Sequence, residues 1–431
     1  MNGHMQYKRK FRSKIVCLLL RIAIALWISP LHAQESSKHK DSYIQNLLEI
    51  FKEDITEDND NIHYASQEYE LYKGKQINEI IISVKPFHLS LKQVAIDEKI
   101  IENSNQFINK IHQFSRDKTI ENHLFFKRGD LINPILIAES ERYLRSLDFI
   151  QDADIRIQKA NDDLVDVFIL ISDLFTYAPF IGYFVPSEQL VGLSNINLLG
   201  SGHQFGIDVM HDKNRFNQWG TRFHGRLQNL KNSYIESDLF FSTIERNLYN
   251  NLEDEQAISF SAQLPLVHIQ RKWVGGIKLA YRKSLDLFED KFQTGIHPYQ
   301  YLYGDFWIGY NLSNENLLNK KSQKDLKKLL AVRYFNYNFI KEALDIRPNY
   351  VGDSRFLDRQ GVVLSMTLFK QQYFKSQYIY GFGRTEDIPT GHNMKFTAGY
   401  YDQRIAHRAY IGLEYYRYKI AASGDIFNIY F

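Results

Sequence analysis

The chain has 431 residues, a net charge of +3, and 58 Phe and Tyr residues (30 and 28) against one Cys and nine Pro. Its aromatic content argues against a disordered chain, its single thiol against an internal disulfide, and its near-neutral charge against a nucleic-acid partner. A mean hydropathy of −0.38, with no run of about 18 apolar residues past residue 35, argues against membrane helices but leaves transmembrane β-barrels open.

Lys8, Arg9, Lys10, Arg12 and Lys14 precede the apolar stretch Ile15 to Ile28, and Leu31-His32-Ala33 ends in a small residue. This predicts a secretory signal peptide over 1–33, cleaved after Ala33. The alternative is an uncleaved anchor helix, for which the apolar core is short and interrupted by Arg21. Cys17 lies inside the leader, so the mature chain would carry no thiol, which suits an oxidising compartment. Residues 34–73 are polar and acidic, with one amphipathic helix predicted over Tyr43–Phe51.

From Gly74 the character changes. Ile77, Ile80, Ile81, Ile82 and Val84 predict a strand that Pro86 ends, and helical spacing runs from Gln93 to about Phe114. Pro134 to Leu147 predicts a second helix, with proline in its first turn. Ala153–Gln158 and Leu164–Ile171 predict two strands joined by Asn161-Asp162-Asp163. The order β-α-α-β-β over 74–175 implies a compact α+β domain with a three-stranded sheet. In it, Leu124 to Asp130 (LFFKRGD), Glu139 to Arg145 (ESERYLR) and Leu147 to Ile150 (LDFI) follow one another. This resembles the signature of a POTRA domain, the periplasmic module before the barrels of the BamA/TamA outer-membrane assembly superfamily. Gly129, Asp130, Glu141 and Arg142 are its candidate residues, with Gly129 allowing the tight turn before the helix. Asn109 to Thr119, with His112, is more loosely similar to the start of such a domain.

From about Tyr177 onward, period-2 patterns recur. Phe205, Ile207 and Val209 alternate with Gly206, Asp208 and Met210, and Met394, Phe396 and Ala398 with Lys395, Thr397 and Gly399. One apolar and one small or polar face predict an antiparallel transmembrane β-barrel over 176–431, with Tyr303, Tyr310, Tyr378, Tyr380, Tyr415 and Tyr416 as interfacial aromatics. A soluble β-sandwich is the alternative. Asn195 to Gly202 (NINLLGSG) resembles the first hairpin of BamA/TamA-type barrels; Asn195, Asn197, Gly200 and Gly202 are its candidate residues. A strand rather than a helix follows this glycine pair, which argues against a phosphate-binding loop.

The superfamily's Arg-Gly-aromatic motif is not found: Arg355-Phe356 lacks the glycine and Gly383-Arg384 reverses the order. Arg384, Glu386 and Asp387 are candidates for a salt-bridge network in the barrel lumen, or for a solvated turn. Lys320, Lys321, Lys324, Lys327 and Lys328 suit either an extracellular loop meeting lipopolysaccharide phosphates or a plain solvated loop. No Gly-x-Ser-x-Gly elbow, His-Glu-x-x-His helix or cysteine ligand set occurs, so no catalysis, metal or cofactor is expected. His203 and His211 flank one strand without a carboxylate at ligand spacing.

The resemblance implies a Gram-negative outer-membrane protein that assists client insertion or translocation, with a POTRA domain in the periplasm. Its implied partners are outer-membrane lipid and lipopolysaccharide, unfolded client outer-membrane proteins and periplasmic accessory proteins. A passive or gated pore is the alternative, and a barrel phospholipase a third. The alternating segments amount to about 12 or 13 strands where the family implies 16, so a chain truncated at its C-terminus is expected, or else a reduced closed barrel.

Overall fold

The computed structural model describes residues 65–85, 110–248, 251–268, 270–288, 298–313, 326–341, 354–377, 385–403, 406–420 and 426–431. All belong to one compact unit, His63–Phe431. The leader, the Tyr43–Phe51 helix, most of the Gln93–Phe114 helix, Lys320, Lys321, Lys324, Arg384, Tyr378 and Tyr380 lie outside the described residues.

A small α/β domain comes first, with a 3-10 turn over Ala65–Tyr72, then β1 (Gln76–Lys85), α1 (Asp117–Glu121), α2 (Pro134–Ser146), β2 (Ile150–Lys159) and β3 (Leu164–Asp173). The sheet order is β1-β3-β2, with β1 parallel and β2 antiparallel to β3. Every second residue of β3 (Val165, Val167, Ile169, Ile171) is fully buried, as a strand under a helix requires. Pro134 opens α2 behind the Asn133 cap, whose side chain accepts from the Ile135 amide, and Ile137 and Leu144 point into the core. Gly129 sits at φ +88°. Its amide donates to the Ile77 carbonyl, while the Ile77 amide donates to Asp130, strapping the start of β1. The predicted helix ends earlier than its spacing suggested: His112–Arg116 is non-helical, and α1 is a separate turn after it.

Thirteen strands follow: β4 (Tyr177–Phe184), β5 (Glu188–Asn195), β6 (Gln204–Asp212), β7 (Trp219–Leu227), β8 (Glu236–Arg246), β9 (Glu253–Leu264) and β10 (Trp273–Ser284), then β11 (Gln300–Asn311), β12 (Lys327–Lys341), β13 (Arg359–Gln377), β14 (Thr385–Gln403), β15 (Ala406–Ile420) and β16 (Ile426–Tyr430). Each lies beside its chain neighbours in one antiparallel meander, from β4 at one edge to β16 at the other. The reduced closed barrel offered as the alternative is not formed: among the described residues β4 and β16 do not pair. Strands alternate in direction, so β4 and β16 both run away from the small domain. Joining them directly would make a parallel pair, and antiparallel closure takes an odd number of further strands.

The two faces of this sheet are inverted relative to a soluble protein. Asp208, Ser242, Glu255 and Asp305 are buried, while Ile207, Phe223, Ile258, Phe306 and Phe396 are exposed. Leu193, Ile207 and Phe223 are cross-strand neighbours, so the exposed apolar residues form a continuous row. No second layer of described strands covers the polar face; its burial reflects a sheet curled around it. Outward Trp219 and Trp273 mark opposite ends of the strands, and Tyr310 packs edge-on against Trp273 at 4.7 Å. Tyr303 departs from its expected outward position: its hydroxyl donates to inward Asp305.

Candidate functional site

The residues singled out in the first hairpin converge on a joint between the small domain and the sheet. Asn197 is fully buried in the β5–β6 turn. Its Nδ2 donates to the Gln113 carbonyl (3.2 Å) and Ser115 Oγ (3.0 Å), and its Oδ1 accepts from the Gly202 amide (2.9 Å). Asn195 Oδ1 accepts from the Asn197 amide at 3.0 Å, and its Nδ2 donates to Gln113 Oε1 at 3.3 Å. The Gly200 carbonyl accepts from the Arg116 amide (3.0 Å) and Thr119 Oγ1 (2.8 Å). Gly200 and Gly202 sit at φ +71° and +74°. They also allow close approach: a Cβ on Gly200 would strike the Phe114 carbonyl, and one on Gly202 would lie 2.6 Å from the Phe149 ring.

Behind this turn, Asp173 accepts from the Ser115 amide (2.7 Å) and Ser115 Oγ (2.9 Å). Burial pushes its carboxyl up to about 6 despite these two donors. His112 Nε2 lies 3.8 Å from Asp173, and its Nδ1 lies 2.9 Å from Thr176 Oγ1. The stretch from Gln113 to Thr119 thus receives the hairpin, a role its loose sequence similarity did not reveal.

A second contact joins α2 to the β13–β14 hairpin. Arg145 grips Asp387 bidentately, Nη2 to Oδ1 at 2.7 Å and Nε to Oδ2 at 2.8 Å. Its Nη1 reaches Glu141 Oε1 at 2.7 Å and the Ala153 carbonyl at 3.0 Å. Lys375 Nζ donates to Glu141 at 2.9 Å, and the Tyr69 hydroxyl donates to Glu141 Oε2 at 3.1 Å. Burial, then Glu141, pushes the Tyr69 phenol well above its ordinary range. Arg142 stacks over the Tyr373 ring at 4.4 Å. Glu141, Arg142 and Asp387 therefore meet: Asp387 is held by Arg145 of the small domain, while Arg384, the third residue of the suggested lumen network, lies outside the described residues. Glu386 neighbours Asp387 along β14 and is itself buried. Arg145 and Lys375 were missed, although Glu141 and Arg145 stand at i,i+4 on one helix face. Gly129 and Asp130 serve the β1 strap.

Two more turns reach the same domain. Between β7 and β8, Asn229 Nδ2 donates to the Asn122 carbonyl and the Tyr234 hydroxyl to the Leu124 carbonyl, both at 2.5 Å. Between β9 and β10, Val267 is buried within the small domain's own core, and the His268 ring packs tilted against Phe125 at 4.8 Å. Arg226 of β7 bonds Asp148 at 2.8 Å. Lys327 and Lys328 open β12 at this same end, where Lys327 feels Glu139 and Arg142 of the small domain. Lys327 and Lys328, the described lysines of that run, thus stand at the end of β12 beside the small domain.

The sheet's inward face carries cross-strand ion pairs. Arg222 bonds Asp208 (3.3 Å) and Glu245 (3.0 Å), Arg282 bonds Glu255 (2.7 Å), Arg333 bonds Asp305, and Lys395 bonds Glu414 (3.0 Å). Toward the end away from the small domain, Tyr299, Tyr301, Phe339 and Phe356 form a buried aromatic cluster. Arg355 donates from there to the Leu248 carbonyl at 2.8 Å. His203 Nδ1 accepts from the Gln228 amide at 3.2 Å. Among the described residues no set of three His, Cys, Asp or Glu side chains is placed to hold a metal.

No protein-family model matches the chain, and no curated protein matches it. Solved structures are similar at a low level, three of them as follows. BamA from Haemophilus ducreyi lacking POTRA domains 1–3 is 10% identical over 83% of this chain and 81% of that one, with a TM-score of 0.31. CdiB from Acinetobacter baumannii is 10% identical over 88% and 91%, with a TM-score of 0.22. CdiB from Escherichia coli is 8% identical over 90% and 93%, with a TM-score of 0.26. Likenesses this loose add nothing to what the chain's own strands and contacts show.

Proposed function

We propose that the chain is an outer-membrane β-barrel protein of the BamA/TamA type, with its small domain, a POTRA module, on the periplasmic side. The inverted burial of the sheet carries this proposal: a continuous apolar row faces outward while charged residues pair inside, the arrangement a strand takes between lipid and a wet lumen. Outward Trp219 and Trp273 near opposite strand ends fit the two headgroup levels.

The work is templating rather than chemistry. The unpaired edges of β4 and β16 present backbone donors and acceptors to an extended client strand, which adds by β-augmentation. The shared direction of the two edges makes a single strand running toward the small domain antiparallel to both. Lipid, unfolded client barrels and periplasmic accessory proteins are the partners that follow.

The charged lumen favours a second reading, a gated pore. Depleting the protein and quantifying the outer-membrane proteome separates them: loss of barrel proteins or surface lipoproteins supports insertion. Unchanged levels, together with single-channel conductance in planar bilayers, would support the pore instead.

A further inference from the structure

We propose that the joint between the small domain and the sheet is an acid-sensitive hinge, in which protonation of buried histidines on both sides of the contact releases the turns from the domain. The geometry places four imidazoles there. His112 and His123 belong to the small domain, His203 to the β5–β6 turn and His268 to the β9–β10 turn.

Their surroundings are closed and poor in compensating charge. His123 Nδ1 lies 2.6 Å from the Thr119 carbonyl of α1, and its ring packs on Tyr143 of α2 and on Phe149. His203 is the ionisable neighbour it feels from the sheet side. His268 packs on Phe125, and the nearest charge is Arg271 of its own turn, a cation that opposes a second one. His123 Nε2 and His268 Nδ1 are buried without a hydrogen-bond partner among the described residues. A proton on either would have to be carried with no acceptor, so neutral rings are what the docked joint accommodates. His112 faces Asp173, and His203 receives the Gln228 amide. Other charged groups at this face are Arg116 beside Gly200, Glu236 and Arg271 near Tyr143, and the pairs Asp148–Arg226 and Lys118–Glu121.

The direction of the effect follows from linkage. Burial lowers all four imidazoles, His123 and His268 to about 4 from an ordinary 6.5. A group whose pKa falls on docking binds protons better when released. Docking is therefore intact above pH 6.5 and weakens as pH falls from 6.5 toward 4. His268, which packs across the joint on Phe125, gains most from release: its full return from about 4 to 6.5 disfavours the docked state by at most about 30-fold at pH 5. His123 adds only the part of its burial that the turns supply, since Thr119, Tyr143 and Phe149 stay with it in the small domain, and Asp173, pushed up by burial, acts in the opposite direction. The Arg145–Asp387 clamp contains no imidazole, so it remains as the pivot on which the opposite side opens. The inference concerns docking, and holds whether the sheet inserts clients or conducts ions.

Spin labels at Lys118→Cys and Lys213→Cys, two exposed positions on the domain and at the far end of the sheet, test it on the full chain in detergent micelles with Cys17 replaced by alanine. The expected result is one narrow distance at pH 7.5 and a broad, shifted distribution at pH 5, with strand circular dichroism unchanged. In His123→Gln/His268→Gln, neutral at every pH, the distance stays narrow at pH 5. Should that variant not fold, His268→Gln alone moves the opening to lower pH with a shallower slope. An unchanged wild-type distance down to pH 4.5, a variant that opens like wild type, or loss of strand signal at the same pH would overturn the proposal.

Discussion

The small domain and the large sheet solve opposite problems with the same alternation. In β3 the buried residues are Val165, Val167, Ile169 and Ile171, whereas in β6 they are Gly206, Asp208, Met210 and Asp212, with Phe205 and Ile207 left outside. A period of two fixes only that the faces differ; the surroundings decide which face is hidden. The small domain has a helix to cover its apolar face. The sheet has none, and its apolar row makes sense only against another apolar phase.

Three substitutions and one matched control test that contrast and the joint between the regions, from the largest expected effect to the smallest. Arg145→Met leaves Glu141 and Asp387 without their shared guanidinium and costs about 3–5 kcal/mol in a urea titration of the micelle-bound protein. A smaller loss, comparable to an exposed pair, would mean the clamp is peripheral. Phe306→Lys, on the outward face midway along β11, costs about 2–4 kcal/mol for folding into lipid vesicles. The matched change Ile81→Lys, exposed on β1, stays within about 0.5 kcal/mol. Equal effects would erase the distinction between the two surfaces. Asn197→Ala strands donors and acceptors in the first turn and costs about 1–3 kcal/mol. Faster amide exchange over Gln113–Thr119 is the accompanying sign; no change there would put the joint elsewhere.

Local patterns made much of this legible in the sequence. The helix from Pro134 declared itself through its proline and apolar spacing, and β6 and β14 through strict alternation, because both signals are carried by neighbours a few residues apart. Asn197, Gly200 and Gly202 stood out as a hairpin, but their reason for being there did not. The partner stretch beginning at Gln113 is 84 residues away from Asn197, and Asp387 lies 242 residues from Arg145. Such pairings leave no trace in periodicity, so Asp387 was assigned neighbours from its own segment. The rim at which Lys327 and Lys328 stand is hidden for a related reason: it depends on counting every strand before β12, and alternation within one strand carries no such count.

Val267 gives the joint a temporal meaning. This valine comes from a turn that is made nearly a hundred residues after the small domain ends, yet it sits inside that domain's core. During synthesis the domain emerges first and must wait, with an apolar vacancy on its surface, until β9 and β10 have formed. Completion of the small domain and completion of the sheet are thus linked. A fragment ending near Asp173 would carry that sticky spot permanently, an attractive target for holdase chaperones.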